Sequence, residues 1–164
     1  MENSQRPGKP ASASQVTLSQ LMQPEHANLL GNVHGGWIMK LVDETGALAC
    51  IRHAQQRVVT VAVDQMTFKH PIRIGNLVTL VGEVSYTGRT SMEAEVCVTA
   101  EDPLTGDITH TNTAFLVYVA VNQDGIPVPV PPVLPENDAQ KVRFEQGRAR
   151  QEYRLAHARQ VEQT

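Results

Sequence analysis

The chain has 164 residues, enough for one domain with some length left over for tails. Its 41% hydrophobic content supports a packed core, and with 4% aromatic residues that core is built mainly from aliphatic side chains. A formal charge of −3 supplies no global positive field for nucleic acid, and no stretch approaches the roughly 20 apolar residues of a membrane span.

The opening MENSQRPGKPASAS lacks the apolar core of a signal peptide and reads as a disordered leader over residues 1–14, so a soluble, cytoplasmic protein is expected. A first strand is predicted from Gln15 to Met22, where Val16, Leu18 and Leu21 interrupt a polar segment that Pro24 stops. A loop then runs to Gly35 and Gly36. The helix that follows, from Trp37 to His53, is about 25 Å long at 1.5 Å per residue. It is apolar on several sides and thinned by Gly46, Ala47 and Ala49, which marks a buried helix.

Alternating segments come next. RVVTVAVDQMTFKH (57–70) is β-branched and ends at Pro71; Gly75-Asn76 is a turn, and NLVTLVGEVSYTG (76–88) is the next strand. In TSMEAEVCVTA, Met92, Ala94, Val96, Val98 and Ala100 share one face, while Ser91, Glu93, Glu95, Cys97 and Thr99 share the other, the pattern of a half-exposed antiparallel strand. ITHTNTAFLVYVAV (108–121) closes the set. Strands of about ten residues outrun the usual five or six and suggest one strongly curved sheet wrapped around something. Cys50 and Cys97 lie inside apolar patterns and are read as buried free thiols rather than as a disulfide. Residues 123–138 carry five prolines after Gly125 and read as an extended linker; residues 139–164 favour a basic helical tail holding six of the 14 Lys and Arg. That tail is expected to pack on a neighbouring protomer or to be a solvated helix. The order β-α-β-β-β-β gives an α+β class, with the folded domain at 15–122.

One residue breaks the helix pattern: Asp43 stands where a hydrophobe is expected. A buried carboxylate is costly unless it is paired or used. It is either structural, bonded to backbone amides or to an arginine, or chemical.

The motif Asn28-x-x-Gly31-Asn32-Val33-His34-Gly35-Gly36, followed by Trp37 through Glu44, closely resembles the hot-dog acyl-CoA thioesterases, in their cytosolic acyl-CoA hydrolase group with its brain-type and bacterial broad-specificity members. The likeness continues through Val59-Thr60-Val61-Ala62-Val63-Asp64, Phe68, Ile72-Arg73-x-Gly75 and Tyr86 to Glu93, covering residues 16–121. It implies the hot-dog fold, a long curved antiparallel sheet around the central helix. It also implies acyl-CoA hydrolysis and a site shared between two units, hence a homodimer at least and a trimer of dimers beyond it. Coenzyme A is then a substrate moiety, and no cofactor is expected.

Hydrolysis of a thioester needs a base, a group to hold water or the carbonyl, and donors for the oxyanion. The resemblance puts the first on Asp43, as general base or nucleophile, and the second on Asn28 from the opposite protomer. Unpaired N–H groups at the helix N-terminus suit the third, with Gly36 preferred, and Gly35 permits close substrate approach. His34 is read as shaping the loop or touching substrate. The tight turn at Gly88, Arg89, Thr90 and Ser91 groups a cation with hydroxyls and is the candidate coenzyme A contact; otherwise it is a hairpin tip with a solvated arginine. Glu44 is read as an ion pair or a solvated rim residue, His70 as structural, and Asp64 as a sheet or interface polar group. The six histidines show no metal-ligand spacing, so no metal is expected. An acyl tunnel is expected beside Trp37, Met39, Met66 and Phe68. The competing readings are a non-catalytic acyl-CoA-binding or sensing module and a hot-dog dehydratase.

Overall fold

The structure, a computed structural model, describes residues 6–161, with side chains described as far as His157. Residues 1–5 of the expected leader, 162–164 of the expected tail and the Arg159 side chain lie outside the described residues.

Five strands form one antiparallel sheet: β2 (Val16–Leu21), β3 (Arg57–Met66), β4 (Leu77–Thr87), β5 (Ser91–Glu101) and β6 (Ile108–Val121). β1 (Lys9–Pro10) and β7 (Val133–Leu134) form a separate pair. The large sheet runs β2-β4-β5-β6-β3, so β2 and β3 are its edges. Helix α1 (Gly35–Ala54) touches all five strands, and the sheet curls around it as expected. The core between them holds Val42, Ala49, Cys50, Leu80, Met92 and Tyr118. Both cysteines are free, Cys50 buried and Cys97 half-buried.

α1 starts two residues before the expected Trp37, because His34 serves as its N-cap and the glycine pair forms the first turn. It ends at Gln55 in the left-handed conformation, φ 53°. Close approach to the sheet depends on bare backbone. A Cβ on Gly46 would sit 2.5 Å from the Tyr118 hydroxyl, and one on Gly82 would sit 2.9 Å from Thr45 Cγ2. β3 stops at Met66 rather than at residue 70. Extra residues Val61 and Asp64 interrupt its register with β6 and bend it, and beyond Met66 the Lys69 N–H still reaches Thr111 O at 3.1 Å.

Two expectations about the chain's ends are corrected. Within the expected leader, β1 pairs in parallel with β7 of the proline-rich linker, Lys9 opposite Val133 and Pro10 opposite Leu134. Residues 11–14 then form a 3₁₀ turn with Ala11 and Ser14 buried. The Ser14 hydroxyl donates to Ala11 O and accepts from Val84 N–H, while the Ser12 N–H donates to Glu136. Composition could not reveal partners more than 120 residues away.

The expected tail is α2 (Asp138–Val161), and it packs on its own sheet, on the face opposite α1. Arg143 pairs with Glu83 at 2.9 Å, Arg154 pairs with Asp64, and Arg150 grips Glu93 with two bonds of 2.8 and 2.9 Å. Gly147 admits the helix, since a Cβ there would meet Tyr86 Cβ at 2.7 Å. The faces of β5 alternate as predicted, but the polar face is covered: Glu93 is 1% exposed.

Candidate active site

Asp43 lies on the third turn of α1, half-buried. Its Oδ1 accepts from the Thr60 hydroxyl at 2.8 Å. The Tyr118 hydroxyl lies 3.2 Å from that oxygen and 2.9 Å from the Asp43 backbone oxygen. Oδ2 carries no hydrogen bond among the described residues. Register explains the grouping: Thr60 pairs with Tyr118, and Tyr118 with Met92, so one row across β3, β6 and β5 faces the helix. Burial, then the Asp43 carboxylate, pushes the Tyr118 phenol well above its ordinary range, so it stays a protonated donor. Sequence reading singled out neither Thr60 nor Tyr118 for the site. Their signal is a polar tip on the helix-facing side of otherwise aliphatic segments, VVTVAV and FLVYVAV.

Asn28 starts a tight loop. Its N–H donates to Asn32 O at 2.7 Å, and its Oδ1 accepts from the N–H groups of Leu30 at 2.9 Å and Asn32 at 3.2 Å. Gly31, at φ 80°, makes the turn that side chains disfavour. The Nδ2 amide is left with no hydrogen bond among the described residues. Asn28 and Gly35 border a cleft of about 260 Å³ whose apolar walls include Val33, Ile38, Phe68 and Ile72. Of the expected tunnel residues this cleft takes Phe68; Trp37, Met39 and Met66 do not line it.

The expected oxyanion donor is otherwise engaged. Gly36 N–H donates to His34 Nδ1 at 2.9 Å, because the imidazole nitrogen accepts as a serine or aspartate cap would. Gly35 N–H has no partner among the described residues.

One chain does not bring all these groups together. Asp43 follows Gly36 by seven residues, about 10 Å along the helix axis, and it does not line the cleft of Asn28 and Gly35. The turn at 88–91 is closed by Gly88 N–H to Ser91 O at 2.9 Å. Ala120 N–H donates to Thr90 O and Val130 N–H to Arg89 O, which seats the turn two residues from Tyr118, at Asp43's end of the sheet. Arg89 is exposed and makes no ion pair among the described residues. Glu44 pairs with Lys40 at 2.6 Å on the exposed rim, Asp64 pairs with Arg154, and His70 borders the Asn28 cleft. Among the described residues, no three His, Cys, Asp or Glu are grouped to hold a metal ion, and no helix is long and apolar enough to cross a membrane.

Known proteins resemble this chain in sequence and in fold. The Thioesterase superfamily profile matches residues 30–106. The cytosolic acyl coenzyme A thioester hydrolase of Rattus norvegicus is 41% identical over 142 residues, 85% of this chain, and the chain spans 37% of that relative's length. A solved apo-hexameric acyl-CoA thioesterase superposes with a TM-score of 0.89 at 38% identity, over 93% of this chain and 98% of the other. An acyl-CoA hydrolase from Staphylococcus aureus, solved with butyryl coenzyme A, coenzyme A and coenzyme A disulfide, superposes with a TM-score of 0.88 at 31% identity, over 96% of each chain. Likeness of this extent, in sequence and in structure, makes the chain a member of the thioesterase superfamily with the hot-dog fold.

Proposed function

We propose that the protein hydrolyses acyl-CoA thioesters to the free acid and coenzyme A. The observation that carries this reading is the Asp43 carboxylate, with one oxygen fixed by Thr60 and Tyr118 and the other open. In the general-base form of the reaction, Asp43 Oδ2 takes a proton from water as the water oxygen attacks the carbonyl carbon. The tetrahedral oxyanion then collapses, the carbon–sulfur bond breaks, and the thiolate leaves with that proton. In the nucleophilic form, Asp43 attacks the carbonyl carbon, the carbon–sulfur bond breaks to expel the thiolate, and water then cleaves the resulting anhydride to give the acid and the free Asp43 carboxylate, its proton going to the thiolate.

Asn28 acts on the oxygen side. Its own carbonyl is committed to the loop, so what it offers is the Nδ2 donor, suited to the thioester oxygen rather than to water hydrogens. Gly35 N–H stands ready beside it. Gly36 N–H joins when the substrate oxygen displaces the His34 ring. Gly88, Arg89, Thr90 and Ser91 offer a cation, hydroxyls and backbone groups to the phosphates and pantetheine of coenzyme A. No cofactor takes part.

Asp43 and Asn28 meet only if two chains combine. β3 is an edge strand presenting Val59, Val61 and Val63 to solvent, and α1 presents Met39, Leu48 and Ile51. An exposed apolar edge is a surface for a second copy. Joining two β3 edges covers it and carries the Asn28 of one chain toward the Asp43 of its partner. A trimer of such dimers follows the hexameric relative.

The test is thiol release from a panel of acyl-CoA substrates. Wild type should turn over, and Asp43→Ala should lose on the order of 10²–10⁴ in kcat with assembly intact. Undiminished turnover by Asp43→Ala overturns the mechanism, and tight acyl-CoA binding without turnover by wild type would favour the sensing module instead.

A further inference from the structure

We infer that Phe68 sets the acyl-chain length this protein accepts, acting as the movable wall of the cleft that begins at Asn28 and Gly35. The inference rests on the hydrolase reading and adds its substrate class, short straight-chain acyl groups.

The cleft is the place for the acyl group because its lining combines the two unpartnered donors, Asn28 Nδ2 and Gly35 N–H, with the apolar Val33, Ile38, Phe68, Pro71 and Ile72, beside the polar Asn32, Lys69 and His70. A carbonyl oxygen seated on those donors sends its hydrocarbon inward, along Phe68. Three of the other apolar side chains there, Val33, Ile38 and Ile72, are buried members of the core, and the fourth, the exposed Pro71, has a ring with no side-chain rotamer to swing. Phe68 differs. It is half exposed and lies just beyond the end of β3, on a segment that has left the strand. Its ring rests on the helix entrance, where a Cβ on Gly35 would sit 3.6 Å from the ring edge, so only the bare glycine separates it from the backbone. With the ring in this place the cleft measures about 260 Å³, below the ~300–1,000 Å³ of ordinary small-molecule pockets. A long chain gains room along this wall when the ring swings outward, away from Gly35.

Replacing Phe68 should therefore change which chains are accepted while leaving the reacting groups in place. In wild type, kcat/KM should be higher for butanoyl-CoA than for hexadecanoyl-CoA. Phe68→Ala should raise the hexadecanoyl to butanoyl ratio by about tenfold, the scale on which apolar pockets sort chains. Phe68→Leu, which keeps the apolar contact with Gly35, should move the ratio part of the way and serves if the alanine variant fails to assemble. The same ratio is read without turnover from the affinities of thioether analogues of the two substrates, measured by calorimetry on proteins that also carry Asp43→Ala. A parallel rise in relative affinity supports the inference even if the base assignment to Asp43 fails. Equal scaling of both chain lengths, in rate and in affinity, overturns it.

Discussion

Thr60 and Asp43, seventeen residues apart in the chain, are joined by a 2.8 Å hydrogen bond that ties the edge strand β3 to the third turn of α1. Tyr118 approaches the same carboxylate oxygen from β6. The carboxylate is thus held on one side by two hydroxyls from neighbouring strands, and its rotation about the Cβ–Cγ bond is limited while its second oxygen has no hydrogen bond among the described residues. Thr60→Val removes one support without changing side-chain size much. It should lower kcat by about tenfold, near 1.4 kcal/mol in the transition state, with Thr60→Ser recovering most of it. A valine variant with an unaltered kcat would mean that Tyr118 alone positions the base.

Separation of Asn28 from Asp43 within one chain gives a test of shared sites that needs no structure of the assembly. Asp43→Ala and Asn28→Ala should each be nearly inactive alone. Unfolded together, mixed in equal parts and refolded, they should regain about a quarter of wild-type activity, because half the dimers are mixed and each mixed dimer rebuilds one of two sites. No recovery, with mixed assembly verified by mass, would place both groups in a single chain's site.

Arg150 lies over the Phe115 ring at 3.8 Å and bonds both oxygens of Glu93, which the Ser85 hydroxyl also reaches at 2.7 Å. Arg150→Met leaves that buried carboxylate with only the longer 3.9 Å pair to Arg154, and breaking a buried pair typically costs up to about 3–5 kcal/mol. The urea midpoint should fall accordingly. Adding Glu93→Gln should recover much of the loss, and if the single variant is as stable as wild type, the clamp contributes nothing net.

His53 connects acidity to stability. Its Nε2 bonds Pro131 O at 2.8 Å, and its buried Nδ1 has no partner in the described structure. Burial, assisted by the Lys9 cation, depresses its pKa, against the Pro131 bond, which raises it. The unfolded chain therefore binds a proton that the folded chain resists, and stability rises with pH. This contribution is complete above the ordinary value of 6.5 and is lost as pH falls below it toward the depressed folded value. Urea midpoints measured between about pH 7.5 and 5.5 should fall more steeply for wild type than for His53→Gln, whose amide can keep the Pro131 bond. Parallel decline in the two proteins would remove His53 from the acid response.

What could be read in advance follows from where the information sits. The long strands and α1 were legible because alternation and a continuous apolar run are local signals, and Ile108–Val121 matches its predicted bounds. The ordered segment at residues 9–14 was not, since Lys-Pro-Ala-Ser-Ala-Ser has no periodicity and owes its order to Glu136 and Pro132. Glu93 read as solvent-facing because alternation reports a strand's faces and says nothing of what lies on them. Asp43, Asn28 and the glycine pair stood out through the resemblance and the broken pattern. Their supports did not, because a threonine or tyrosine in a strand acquires meaning only when a helix turn arrives opposite it. His34 was legible as part of the motif, yet its ring on Gly36 depends on a rotamer no spacing reveals.

The β1–β7 pairing sets an order of events during synthesis. Lys9 and Pro10 are made before any strand of the large sheet, but the backbone they pair with is made only after every one of them. Until Leu134 emerges, the segment that braces Ser14 against Val84 has no mate. Nascent chains arrested before that point should carry a nearly complete sheet with a protease-sensitive segment around Lys9 and Pro10, and release of the next few dozen residues should protect it.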